Sequence, residues 1–158
     1  RFSGEPSLVV DAIEDGLYSE TELYIEGGSF NIAAGEDGIH AGQSGSGEGI
    51  VTVTGGSILV SAYQDGIDAK IALRIMGGDL LACGKYKAPK TASAESSQGS
   101  IFAELGGHAG SALTITDGSG NVIGSLNAVY PFTHVIFSRA GLGVCELSCE
   151  GSSVSAQP

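Results

Sequence analysis

Three aspartates carry the first chemical signal in this sequence. Asp15, Asp37 and Asp65 stand before glycine in the phrases EDGLYS (14–19), EDGIHA (36–41) and QDGIDA (64–69). If the phrases lie one above another in neighbouring strands, the carboxylates are stacked at about 4.8 Å. Ionised carboxylates that close repel each other, and a cation between them reverses the sign. Calcium suits such a column because it accepts six to eight oxygen ligands in flexible geometry. The phrases hold no soft ligand, which disfavours zinc and copper. Glu14 and Glu36 precede two of the aspartates, and Asp68 stands three residues after Asp65. The candidate calcium ligands are therefore Asp15, Asp37, Asp65, Glu14, Glu36 and Asp68. A second reading stands beside this one. Asp-Gly is a common turn pair whose carboxylate accepts local backbone N–H groups. Gly16, Gly38 and Gly66 would then supply the positive φ of a bend. The two readings are compatible, since a capping carboxylate keeps a second oxygen. His40, alone in its column, reads as a surface residue rather than a metal ligand.

The elements that would align these residues are legible as a repeat. Asp15 and Asp37 are 22 residues apart, and Asp37 and Asp65 are 28 apart. The pairs Gly27-Gly28, Gly55-Gly56 and Gly77-Gly78 show the same intervals in reverse order. One six-residue insertion within GQSGSG (42–47) reconciles both. Apolar columns follow: Leu17, Ile39, Ile67; Leu23, Val51, Leu73; Ile25, Val53, Ile75; Leu8, Phe30, Ile58, Leu80; Val10, Ile32, Val60, Ala82. Paired columns at i and i+2 have strand periodicity with one face buried. Three short strands per repeat, each ended by glycine, make a coil that buries its apolar face only by stacking on its neighbours. The expected fold is all-β, a parallel β-helix of about 22-residue coils, with an antiparallel meander as the competing topology.

The fourth turn breaks the pattern. Tyr86 and Lys87 replace the acidic pair, with Lys85 and Lys90 close by in GKYKAPK (84–90). This segment reads as a solvated loop, or as a cationic cover on the last acidic rung. Beyond it, SIFAEL (100–105), ALTITD (112–117), NVIGSL (121–126), THVIFS (133–138) and VCELSC (144–149) have strand character. DGSGN (117–121) is a hairpin signal. An antiparallel sheet here would cover the open end of the coils, because exposed terminal rungs invite edge pairing. The expected organisation is one domain over 1–158, with coils in 7–90 and an antiparallel β cap in 100–150. Cys145 and Cys149 on one strand would be roughly 13 Å apart, too far for a disulfide. Three unbridged thiols are expected, Cys83 included.

A net charge of −11, from 7 basic and 18 acidic residues, argues against nucleic acid, whose binding rests on neutralised phosphates. It argues equally against anionic membrane surfaces. No apolar run approaches the length of a membrane span. Residues 1–7 lack the apolar core of a signal peptide, so the chain reads as a mature or trimmed product.

The phrase (E/D)DGI(H/D)A, followed by a strand, Gly-Gly and another strand, resembles the bacterial carbohydrate-binding proteins with a polysaccharide-lyase-like β-helix, a family named for cellulose and acidic-sugar binding. The resemblance runs from about Leu8 to Gly84 and continues through SALTITDGSGNVIGSLNA (111–128) and THVIFSRAGL (133–142). It implies a right-handed β-helix, bound calcium on Asp15, Asp37 and Asp65 with their acidic neighbours, and an extracellular or cell-surface setting. It also implies a plant-type polysaccharide partner such as pectic acid or cellulose. Candidate sugar contacts are His40, Tyr63, Lys70 and Arg74, the last in an outward column with Tyr24 and Thr52. An aromatic ring stacks on a sugar face and a base pairs with a uronate. No catalytic residues are assigned. A pectate-type lyase is the alternative, and Lys70 and Arg74 are the only bases within the repeats for its proton abstraction. A structural or adhesive surface element, self-associating through the ends of its β-helix, is a third reading.

Overall fold

Alternating apolar residues at fixed offsets become the inner faces of three parallel ladders in the computed structural model, which describes residues 1–43, 45, 47–85 and 91–158. In the first ladder β1 (Ser7–Ala12), β4 (Ser29–Ala34), β7 (Ser57–Ala62) and β10 (Asp79–Gly84) follow one another. The second holds β2 (Leu17–Ser19), β5 (Ile39–Ala41) and β8 (Ile67–Ala69). The third holds β3 (Glu22–Ile25), β6 (Ile50–Val53) and β9 (Ala72–Ile75). The pairing register is the one the sequence columns predict. Leu8, Phe30, Ile58 and Leu80 are successive partners, as are Leu17, Ile39 and Ile67, and Leu23, Val51 and Leu73. These side chains share one hydrophobic cluster, with Leu8 partly buried against it.

The six-residue insertion lies where the glycines place it. Two residues join β2 to β3 and β8 to β9, whereas 42–49 join β5 to β6. Gly42 and Gly49 form the neck of this excursion. A Cβ on Gly42 would come within 2.7 Å of Gly49 Cα, and both residues have positive φ (98° and 128°). The inner packing sets a small, checkable cost. Ile32 is buried between Val10 and Val60 in its ladder, and its Cγ2 lies over Gly16. Ile32→Val keeps that methyl and removes only Cδ1. It is expected to cost about 1 kcal/mol in a denaturant titration.

The C-terminal half differs from the expected end cap. Its strands are β11 (Ser100–Ala103), β12 (Ala112–Asp117), β13 (Val122–Asn127), β14 (His134–Ser138), β15 (Cys145–Cys149) and β16 (Ser152–Ala156). β14 pairs antiparallel with β10, and β11 pairs antiparallel with β14, so the first ladder grows into a mixed six-stranded sheet. The other four form an antiparallel sheet, in the order β13-β12-β15-β16. That sheet packs on the flank of the six-stranded sheet, not over its end. Its Leu113, Ile115 and Leu147 share a second core with Leu81, Cys83, Val135 and Phe137. The cause lies in the outward positions of the six-stranded sheet, where a lone exposed Val9 is followed by Asn31 and then by the adjacent pair Leu59 and Leu81. The later positions are apolar and must be covered. The architecture among the described residues is thus all-β, without helices and with several sheets, one of them mixed.

The hairpin over 117–121 forms as expected. Asp117 accepts the N–H groups of Ser119 and Asn121 at 2.8 and 2.9 Å. β16 has no counterpart in the sequence reading. It is serine-rich, with Val154 and Ala156 packed on the second core, and it follows a tight turn in which Glu150 and Gly151 both have positive φ (50° and 79°). Cys83, Cys145 and Cys149 are unbridged and buried in the second core. Burial pushes the Cys83 thiol up to about 12.

Candidate functional site

The three aspartates are in register at one corner of the repeats, between the first and second ladders. Each corner exposes an N–H that no carbonyl of the adjacent repeat reaches, and the aspartate of that repeat supplies the acceptor. Asp37 N donates to Asp15 Oδ1 at 3.1 Å, and Asp65 N donates to Asp37 Oδ1 at 3.0 Å. Asp15 and Asp37 therefore do cap backbone, but the capped amide belongs to the next rung, not to their own turn. The glycines beside them play a different part from the expected one. Gly16, Gly38 and Gly66 have no positive φ. They are needed because a Cβ has no room: on Gly16 it would meet Gly38 O at 2.5 Å, and on Gly38 it would meet Gly66 O at 2.6 Å. Positive φ falls instead on the second glycine of each Gly-Gly pair, at Gly28, Gly56 and Gly78 (98°, 95° and 89°).

His40 is not an open surface residue. Tyr18, His40 and Asp68 are partners in the second ladder, and the imidazole sits among the carboxylates. Its Nδ1 donates to Asp15 Oδ2 at 2.7 Å and lies 3.7 Å from Asp37 Oδ2. Its Nε2 is 3.9 Å from Asp68 Oδ2 and has no hydrogen-bond partner. The ligating atoms of Asp15, Asp37 and His40 all fall within 4.8 Å of one another. Lys70 closes the far side of the cluster through an ion pair with Asp68. Glu14 and Glu36 are exposed. Their backbones stack beside the aspartates, with Glu36 N donating to Glu14 O and Gln64 N to Glu36 O.

One member of the site was missed in the sequence. His134 lies on β14, opposite Gly84 of β10. Its Nε2 is 3.7 Å from Asp65 Oδ1, an oxygen that is buried and accepts no hydrogen bond. A histidine 69 positions after Asp65, in a strand that joins the ladder in the reverse direction, leaves no periodic trace. Tyr86, Lys87 and Lys90, considered as a cover for this rung, lie outside the described residues.

The electrostatics of the cluster follow from its burial. Asp65 is 8% exposed, and desolvation, then the charges of Asp37 and Asp68, push its carboxyl up from an ordinary 3.8 to about 6. Burial raises Asp37 as well, reinforced by Asp68 and Asp15 and opposed by its hydrogen bond from Asp65. Burial lowers the pKa of His134, which favours its neutral form beside Asp65. The corner is thus a focus of negative charge with protonatable carboxyls, able to attract a cation or to take up protons.

The four candidate sugar contacts do not converge. His40 and Lys70 belong to the acidic corner. Arg74 projects from the third ladder, in register with Thr52 and Tyr24, and Thr52 between them is buried. Tyr63 stands apart after β7, in edge-to-face contact with Tyr130 at 6.2 Å and beside the Lys85 ammonium. Of the two bases named for a lyase, Arg74 is on the third ladder and Lys70 is in the link before it, engaged by the Asp68 carboxylate. No curated protein and no solved structure matches the chain. The sequence pattern of the family described as carbohydrate-binding domain-containing protein matches residues 4–138, and over that span the chain belongs to the carbohydrate-binding domain-containing family.

Proposed function

We propose that this chain is a calcium-supported carbohydrate-binding module. Its scaffold is a right-handed parallel β-helix of about 22-residue coils, and its ligand is a plant-type polysaccharide, acidic pectin or cellulose, met outside the cell. Family membership supports the ligand class. The steady register of the three parallel ladders, each strand paired with the strand one repeat away, supports the helical winding. The extracellular or cell-surface setting follows from where such polysaccharides occur.

One observation carries the calcium reading: the buried Asp65 Oδ1 has no hydrogen-bond donor, in a rung flanked by Asp37 and Asp68, whose charges add to its strain. A buried polar oxygen without a partner is costly, and a hard cation would satisfy it. The donor types suit calcium at this end of the column, where an ion would compete with Lys70 for Asp68 and share Asp37 with the Asp65 N–H. Asp37, Asp65 and Asp68 offer carboxylate oxygens, the ligands calcium prefers. At the other end Asp15 is committed to His40 and to Asp37 N, and imidazole is not a calcium donor. Asp37, Asp65 and Asp68 are thus the residues that would hold the ion, which would neutralise the column and stabilise the fold.

Calorimetric titration tests both halves. Chelator-treated protein is expected to bind calcium and to melt several degrees higher in its presence, as mass action requires of a ligand specific for the folded state. A panel of polygalacturonate and cellulose is then titrated with and without the ion. Stripped protein that takes up no calcium and melts at an unchanged temperature would leave the aspartates as amide caps alone.

A further inference from the structure

The chain is acidic, yet its proposed ligands include an acidic glycan, so the contact surface must be a local exception to the global charge. Most described bases are engaged elsewhere. Arg1 pairs with Glu26, Lys70 with Asp68, and Arg139 donates to Ile123 O. Arg74 lies in register with Thr52 and Tyr24, and the Tyr24 hydroxyl is bonded to Glu22, which keeps a carboxylate on that face. The cavity of about 340 Å³ beside Gly47, Glu48 and Gly49 is lined by Glu22 and Glu48 and, among the described residues, by no aromatic or basic side chain. Lys85 is different. Among the described residues it makes no ion pair, and its ammonium stands 5.4 Å from the centroid of the Tyr63 ring.

Tyr63 is 41% exposed, and its ring meets Tyr130 edge to face at 6.2 Å. The three side chains come from distant parts of the chain, and their backbones are pinned together. The hydroxyl of Ser61, itself buried, accepts the N–H groups of Val129 and Tyr130 at 2.9 and 3.3 Å. Lys85 N donates to Gln64 O at 2.6 Å, and Thr133 Oγ1 donates to Lys85 O at 3.0 Å. A platform held this way is preorganised, which limits the ordering cost of binding.

We propose that Tyr63, Tyr130 and Lys85 form a subsite for a hexuronate residue of an acidic glycan. The uronate carboxylate draws the Lys85 ammonium from over the Tyr63 ring, and the C–H face of the sugar takes its place there, braced by Tyr130. An aromatic face offers apolar area at little conformational cost, and a charge-assisted contact adds discrimination for the acid over its neutral analogue. The chemistry selects uronate over neutral glucan. The proposal rests on the carbohydrate-binding reading and is independent of calcium.

The experiment is isothermal titration of an oligogalacturonate and of a cello-oligosaccharide into the full chain and its variants, with melting curves to verify folding. Tyr63→Ala is expected to weaken oligogalacturonate binding by roughly tenfold or more, while Tyr63→Phe retains it. Lys85→Gln is expected to weaken oligogalacturonate by roughly tenfold and to leave any cello-oligosaccharide binding unchanged, with Lys85→Arg restoring the acid preference. Arg1→Gln, which removes an exposed base paired with Glu26, serves as the control and leaves both affinities unchanged. Wild-type binding of oligogalacturonate that survives Tyr63→Ala and Lys85→Gln would overturn the subsite and leave carbohydrate binding standing. A wild-type protein that binds cello-oligosaccharide alone would overturn the uronate assignment. One that binds neither would remove the reading on which the subsite rests.

Discussion

Gly38→Ala is expected to abolish the folded state, or to destabilise it by more than about 4 kcal/mol, a large part of a typical domain's stability. The Cβ would sit 2.1 Å from Val60 Cγ1 and 2.6 Å from Gly66 O. Neither neighbour can yield. Val60 is fully buried between Ile32 and Ala82, and Gly66 O accepts the Ile39 N–H at 3.1 Å as part of the stacking. A tightly packed interior relieves an added methyl only by moving backbone. Gly66→Ala makes the informative partner. Its Cβ would meet Ala82 Cβ at 3.0 Å and Cys83 N at 3.2 Å, so a shift of a few tenths of an ångström suffices and the loss is smaller. Soluble expression and urea melts of the two variants check the ranking. A Gly38→Ala protein that melts like the wild type would show that the rungs are not stacked this closely at the aspartate corner.

The same corner explains which features could be read from the sequence. A repeat writes its register many times over, so Leu23, Val51 and Leu73 could be aligned before any coordinates existed, and the misplaced interval pointed to 42–47. Residues that act once leave no such signal. His134 reaches Asp65 only because β14 enters the ladder antiparallel, and nothing periodic connects the two positions. His40 has a local cue, its place in the column of Tyr18 and Asp68, but isolation from other histidines suggested open surface. Its true environment depends on carboxylates 22 residues apart meeting across one rung.

The role of the glycines was misassigned for a related reason. Asp-Gly is associated with bends, and the bend signal is real, yet the strained dihedrals belong to Gly28, Gly56 and Gly78. Composition reports that a position must be glycine without saying whether φ or space demands it. The flank packing of the C-terminal sheet was legible in principle. Leu59 and Leu81 follow Asn31 in one outward column, and adjacent apolar outward positions announce a covering layer.

Asp65→Asn is expected to raise the stability of calcium-free protein at neutral pH and to remove its response to calcium. In the folded chain the Asp65 carboxyl titrates at about 6, held above 3.8 by burial and by Asp37 and Asp68. A carboxyl with a raised folded-state value favours folding fully below its unfolded value, and that contribution is lost as pH rises through about 6. The stripped wild type should therefore gain on the order of 1 kcal/mol from this group near pH 5 relative to pH 7.5, with His134, lowered by burial, working in the opposite direction. Asp37, raised in the same direction, steepens the trend. Asparagine has nearly the same shape, carries no charge and keeps the backbone N–H that Asp37 accepts. The variant should lose most of this pH dependence and exceed the wild type at pH 7.5 in chelator. Calcium reverses the ranking, because an ion bound to ionised Asp65 stabilises the wild type and has no such partner in the variant. Thermal melts at both pH values, in chelator and in calcium, resolve all four states. Identical pH slopes for the two proteins would mean that Asp65 is not the strained carboxyl. A shared calcium response would move the ion to another part of the column.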